Sequence, residues 1–296
     1  MRARLILLIV FSSSLALAQG TSRGDASLKL PLTPFQASTG ESFIADPGMI
    51  QSARIDPANA ATVTSNAVFF SHSAWTQDIR TDYLSVAIPL RYGSIALSAA
   101  NTAVDDIPVR EIPGPPIGTF NAEAVFFQAI YGIPITESLR AGIGPKYLYE
   151  KIYVDEATGF GFDAGVLYIP PVEGLTIGCS LTDLGHLSAF RAQSTDLPAM
   201  LRLGGTYSVS GETINYRAAG AVATEFGTGT RHLSIGVEAA YSNSVSVRLG
   251  YESGYDTRGF SAGLGVRYSI FSLDYAFVPF SLNFPDAHII ALSLIF

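Results

Sequence analysis

The sequence predicts an all-β protein: a transmembrane outer-membrane β-barrel of about fourteen antiparallel strands with an N-terminal lumen plug. Three observations predict it. The chain finishes inside an apolar alternation, Ala287-His288-Ile289-Ile290-Ala291-Leu292-Ser293-Leu294-Ile295-Phe296, and closes on an aromatic residue. It opens on the pattern of an export signal. Between the two, stretches of period-two alternation are joined by connections that are alternately short and long.

Residues 1–18 are read first as a signal peptide. Met1-Arg2-Ala3-Arg4 is positive, Leu5 to Phe11 is apolar, and Ala16-Leu17-Ala18 is a small-x-small site ahead of Gln19. The apolar run is well short of the roughly 20 residues that a spanning helix needs. No cysteine stands at the site, which argues against a lipid anchor. With the barrel pattern, this signal predicts the outer membrane of a Gram-negative bacterium, reached through the barrel assembly machinery.

Residues 19–65 lack a convincing strand and carry Asp46-Pro47-Gly48 and Asp56-Pro57-Ala58-Asn59-Ala60. A periplasmic tail and an ordered lumen plug both fit. Phe35, Phe43, Ile44, Met49, Ile50 and Ile55 make the segment more apolar than a disordered tail needs, which favours the plug.

The barrel is predicted over residues 66–296. Leu233, Ile235, Val237 and Ala239 alternate with His232, Ser234, Gly236 and Glu238, and Val245, Val247, Leu249 and Tyr251 with Ser246, Arg248, Gly250 and Glu252. This is the period of a strand with one face in lipid. Strands are predicted at 66–74, 82–90, 93–101, 121–132, 139–150, 160–169 and 174–183. Seven more follow at 199–208, 214–225, 231–241, 245–252, 259–268, 270–278 and 287–296. Arg91-Tyr92, Ile133–Ser138, Pro170–Glu173, Val209–Thr213, Ser242–Ser244 and Ser269 are the short connections. Those between them are mostly longer, as tight periplasmic turns and outer loops require. In the last strand, His288, Ile290, Leu292, Leu294 and Phe296 share a face, and Phe296 is the expected assembly signal.

Composition excludes several classes. Charged residues are 15% of the chain, against about 25% in soluble globular proteins, and the mean hydropathy is +0.31. The net charge is −7 with no basic stripe, so nucleic acid is not an expected partner. Cys179 is the one cysteine and sits beside Ile177 and Leu181 as a small strand residue; no disulfide or thiolate metal site follows from it. His72, His186, His232 and His288 are too dispersed for a metal. Gly259-Phe260-Ser261-Ala262-Gly263 fits G-x-S-x-G, but its glycines continue into Leu264-Gly265-Val266-Arg267 on a strand rather than into a helix. No catalytic, metal or cofactor site is expected.

Charges of both signs fall opposite the apolar series: Arg140, Lys146, Glu150, Asp163, Arg202, Arg217, Glu225, Arg248, Glu252, Arg267 and Asp274. Facing lipid, each Arg or Lys would cost about 2–4 kcal/mol near the midplane, so they are expected in the lumen. Their mixed sign favours a salt-bridged filling that holds the plug over an ion-selective pore. Thr102–Asn121 is the longest connection after the plug. It carries Ile107, Ile112, Ile117 and Phe120 among Pro108, Pro113, Pro115 and Pro116. Two roles fit it, an apolar surface for a partner and a cap over the barrel mouth.

Further motifs run in order along the chain: Asp56-Pro57-Ala58, Phe70-Ser71-His72, Trp75 with Asp78-Ile79 and Asp82-Tyr83, Ile107-Pro108-Val109-Arg110, and Gly118-Thr119-Phe120. Then come Lys146-Tyr147-Leu148-Tyr149-Glu150-Lys151-Ile152, Phe162-Asp163-Ala164-Gly165, Asp183-Leu184-Gly185, Leu197-Pro198 and Leu273-Asp274-Tyr275-Ala276-Phe277. On these the chain resembles the PorV/PorQ family of outer-membrane proteins, relatives of the FadL-like transporters of hydrophobic compounds. It departs from that family where Asn-Pro-Ala-Gly reads Asp56-Pro57-Ala58-Asn59, and its glycine-rich amino-terminal stretch is thin. The resemblance implies a FadL-like barrel with a plug. It also implies a non-enzymatic part in type IX protein secretion or cell-surface export, with secreted cargo or other translocon components as partners. Passive transport of hydrophobic compounds in the FadL manner is the second implied function.

Overall fold

Period-two alternation becomes strand after strand in the computed structural model of the chain, which describes residues 25–110, 113–190 and 194–296. The predicted signal peptide, residues 1–18, lies outside them. The first strands are β1 (Ala67–Ala74), β2 (Ile79–Pro89), β3 (Ser94–Val109), β4 (Gly118–Pro134) and β5 (Leu139–Ile152). β6 (Asp155–Tyr168), β7 (Leu175–Leu187), the short β8 (Thr195–Asp196), β9 (Met200–Ser210) and β10 (Ile214–Glu225) follow. β11 (Arg231–Tyr241), β12 (Val245–Ser253), β13 (Phe260–Tyr268), β14 (Phe271–Val278) and β15 (Ala287–Ile295) complete the series.

Neighbouring strands pair antiparallel, and β8 hangs on the end of β7 through His186 and Leu187. β1 pairs with β15 from Ala67 opposite Ile295 to Ala74 opposite His288. That seam closes the other fourteen strands into a barrel. The Phe296 N–H donates to Asn66 O at 2.9 Å, beside the start of β1.

Along β11, Leu233, Ile235 and Val237 are 50–57% exposed, while Ser234 and Glu238 are buried on the inner face. A soluble domain would not leave such a series in water; in a barrel it faces lipid. Tyr168, Tyr207, Tyr216, Tyr241 and Tyr268 point outward near the short turns, where an interfacial aromatic girdle belongs. The tightest turns use positive φ: Ser242 and Asn243 stand at 46° and 53°, the pair that a type I′ hairpin requires.

The outer connections differ from expectation. The Thr102–Asn121 loop is mostly strand, because β3 and β4 run on together as a hairpin of 16 and 17 residues. Ile107 pairs with Phe120 across it, and a bulge between Val104 and Ile107, with Asp106 at φ 56°, absorbs the broken alternation. The expected Lys151–Gly159 loop shrinks to Tyr153-Val154 between β5 and β6.

Residues 25–65 pack inside the barrel. No periodicity marks them because they form only a short helix, α1 (Pro34–Ser38), and 3-10 turns at Ala26–Lys29, Ile50–Ser52 and Pro57–Thr62. Two of these begin alike, with a capping side chain before a proline. Thr33 Oγ1 accepts from the Gln36 N–H at 3.1 Å and Asp56 Oδ1 from the Ala58 N–H at 2.9 Å. Asn59 accepts from the Asp46 N–H at 2.9 Å and donates to Ile44 O and Ser52 O at 2.7 and 3.3 Å. The departure from the family motif is thus a tie within the segment.

Glycines in the wall seat this segment. A Cβ at Gly142 would overlap the Pro57 carbonyl, one at Gly165 the Asp56 carboxylate, one at Gly250 the Thr39 backbone, and one at Gly263 Ser38. Gly263 therefore belongs to a crowded wall. Ser261, two residues before it, is buried within β13 with no helix following.

Candidate functional site

The register of β2 to β5 stacks the lumen in layers. Read inward from the outer end, the inner face carries Ile152, Glu150, Leu148 and Lys146 on β5, Ala122, Ala124, Phe126 and Gln128 on β4, and Val104, Thr102 and Ala100 on β3. The outermost layer surrounds a cavity of about 240 Å³ at the mouth, walled by Leu30, Ile79, Val104, Ala122, Ala124 and Ile152, with Asp25 and Glu150 beside it.

Beneath it lies an apolar layer. Leu28 and Leu32 of the amino-terminal segment, 5% and 3% exposed, pack against Phe69, Tyr83, Ala100, Phe126, Leu148 and Leu187. Leu197, from the Leu197-Pro198 motif, joins them.

The next layer is ionic. Lys146 Nζ lies 2.9 Å from Asp163 Oδ2 and 2.5 Å from Asp183 Oδ1, and Arg54 Nη2 reaches the same Asp183 oxygen at 3.3 Å. Gln128 Nε2 donates to Asp163 Oδ2 at 2.5 Å. Arg54 also donates to Leu28 O at 3.2 Å and lies over the Phe126 ring. Three motifs of the family resemblance, those holding Lys146, Asp163 and Asp183, thus converge on one buried cluster that grips the segment.

A second cluster grips it from the opposite wall. Arg217 bridges Asp46 Oδ1 at 2.5 Å and Glu238 at 2.9 Å; Arg248 bridges Glu238 Oε2 and Asp274 Oδ1, both at 2.6 Å. Both guanidinium groups lie over the Phe35 ring at 5.1–5.3 Å. Burial pushes the Asp46 carboxyl up to about 6, against the pull of Arg217. Lys29 pairs with Glu225 at 2.8 Å and Arg258 with Glu252 at 3.3 Å. Arg202 donates to Thr182 Oγ1 at 2.8 Å.

The expected charged lining therefore divides. Lys146, Asp163, Arg202, Arg217, Glu225, Arg248, Glu252 and Asp274 are inside, in separate clusters rather than one network, and Glu150 stands apart at the mouth. Two positions are corrected. Arg140 donates to Thr136 O and Glu137 O at 2.6 and 3.0 Å, closing its own turn. Arg267 is exposed at the end of β13. Both sit at strand ends, where facing inward no longer means facing the lumen interior. Asp183 escaped because a bulge between β6 and β7 breaks the alternation, so that Thr182 and Asp183 are both buried. Glu238 was legible, since it shares a face with Ser234 and Gly236. Asp46 and Arg54 carried no periodic signal.

Of the expected partner loop, Ile107 and Phe120 are strand residues, Phe120 meeting the Tyr153 ring edge-on at 5.5 Å. Ile117 is 68% exposed near the hairpin tip, and Ile112 lies outside the described residues. Among the described residues no group of three His, Cys, Asp or Glu is placed to hold a metal.

No protein-family model matches the sequence, and no curated protein is similar to it. Solved structures are similar in fold. The Pseudomonas putida toluene transporter TodX aligns with a TM-score of 0.59 at 12% identity over 93% of this chain and 98% of its own. The CymD monoaromatic hydrocarbon channel aligns with a TM-score of 0.59 at 12% identity over 90% and 97%. A Pseudomonas aeruginosa FadL homologue aligns with a TM-score of 0.52 at 12% identity over 89% and 98%. The chain has the fold of a FadL-like outer-membrane β-barrel.

Proposed function

We propose that the protein is a passive outer-membrane channel for small hydrophobic compounds, with residues 25–65 as its plug. One observation carries this reading: the apolar mouth cavity rests directly on an apolar layer of the lumen, and Leu28 and Leu32 of the plug close that layer. A water-filled porin has no use for such a path, because an apolar lining disfavours hydrated solutes. The fold shared with hydrocarbon channels supports it. It also favours transport over the protein-secretion role implied by the PorV/PorQ resemblance, whose cargo would need a partner surface rather than a cavity.

The test is uptake of toluene by cells that express the protein. Expression should raise the rate, and Ala124→Trp, which fills the mouth, should abolish the gain while leaving heat-modifiable barrel in the outer membrane. Equal uptake with and without the protein, alongside recovery of a secreted protein bound to it, would replace the channel with the export component.

A further inference from the structure

The mouth cavity has an uneven chemistry. Its walls are mostly aliphatic, with Ser27 and Thr102 among them, and the ionisable residues along it are all acidic: Asp25 on the plug, Glu150 on β5 and Glu123 on β4. Glu123 belongs to the same stretch of wall but lies on the outward face, in register with Lys151. Among the described residues no Lys, Arg or His lines the cavity. The cations of this end are engaged elsewhere: Arg54, whose charge acts on Asp25, pairs with Asp183 at 3.3 Å, Lys151 with Glu156 at 3.4 Å, Lys29 with Glu225 at 2.8 Å, and Arg80 with Asp105 at 3.2 Å.

Asp25 is buried and Glu150 is half-buried. Asp25 is 6% exposed and accepts a hydrogen bond from Ser27 Oγ. Glu150 Oε2 is buried and has no hydrogen-bond partner among the described residues. An unpartnered carboxylate against aliphatic walls is costly, and a donor or cation brought by a ligand would offset that cost. An apolar cavity of about 150 Å³ accepts benzene. One of about 240 Å³ has room for a ring with a short tail.

We propose that this mouth selects apolar molecules that carry one amine or other cationic head, and rejects carboxylates of the same size. The ring sits among Leu30, Val104 and Ile152, and the head lies between Asp25 and Glu150. A fatty or aromatic carboxylate would bring a further carboxyl to a mouth whose lining is acidic and holds no base. This selectivity rests on the transport reading and narrows it to a substrate class.

Three probes of like shape test it on the full-length barrel in zwitterionic lipid nanodiscs, with empty nanodiscs as blank: 2-phenylethylamine, propylbenzene and 3-phenylpropanoate. The amine should bind about tenfold more tightly than propylbenzene, as a charge-assisted hydrogen bond allows, and the carboxylate should bind most weakly. Glu150→Gln should remove that tenfold preference and leave propylbenzene unchanged. Asp25→Asn provides the same comparison outside the barrel wall, should the strand variant fail to assemble. An amine that binds no better than propylbenzene, or a preference that survives in both variants, overturns the inference. If propylbenzene still enters cells in that case, the transport reading stands without it; if none of the probes binds or enters, both fall.

Discussion

Leu28→Ala with Leu32→Ala is the perturbation that bears most directly on how the lumen is closed. Each leucine is almost fully buried in the apolar layer under the mouth, 5% and 3% exposed. Truncation removes about three carbons from each, worth about 0.8 kcal/mol apiece in transfer alone. The pair thus loses about 5 kcal/mol before any cavity term. The barrel ladder does not involve either residue, so strand pairing should survive and the plug's upper part should loosen. A loss of that size corresponds to more than about a thousandfold in the opening equilibrium. Limited proteolysis at Lys29 reads the loosening, gel mobility with and without heating reads the barrel, and toluene uptake reads the path. The expected result is rapid cleavage, an intact barrel and faster uptake. Rapid cleavage with an intact barrel and unchanged uptake would show that the leucines do not close the route.

Asp46 has a folded value near 6 against an ordinary 3.8, so it favours the docked plug in its protonated form. Its contribution is complete below 3.8 and lost as pH rises through 6, about 3 kcal/mol in all; Asp46→Asn should flatten plug protection from protease across that window, and a slope equal to the parent's would remove Asp46 as its source. Leu249→Arg places a charge in lipid at a residue 55% exposed on the outer face and should cost about 2–4 kcal/mol of assembly. The same change at the exposed turn residue Glu173 should be neutral, and equal yields of the two would reverse the face assignment. Gly142→Leu would drive a side chain into the Pro57 carbonyl; assembled barrel should fall sharply, and a normal yield would mean that the plug is not seated there.

The strands were legible because lipid on one side and a packed lumen on the other enforce alternation along every strand. β10 and β11 lie where the pattern puts them, at Ile214–Glu225 and Arg231–Tyr241. Reading failed where the alternation is broken by design of the backbone. Asp105-Asp106 and Pro108 look like a loop, yet a bulge at Asp106 keeps β3 paired with β4 to Val109. Alternation also reports the face of a residue and not its height, which is why Arg140 and Arg267 were expected among the buried charges. The plug's Asp46 and Arg54 were out of reach, since short turns leave no period and their partners, Arg217 and Asp183, lie far off in sequence. The mouth cavity was half legible: Glu150 faces inward by parity, but nothing in the sequence sets Asp25 beside it.

The path of the plug bears on how the molecule is made. Asp25 borders the outer mouth and Asn66 stands at the inner rim beside Phe296, so residues 25–65 run the length of the lumen before β1 begins. The sheet is then sealed by its earliest and latest strands along the β1–β15 seam. A wall that meets the plug's backbone through glycine leaves little slack for drawing in a folded segment later. A flaw in that fit should surface first as slow assembly of newly made chains.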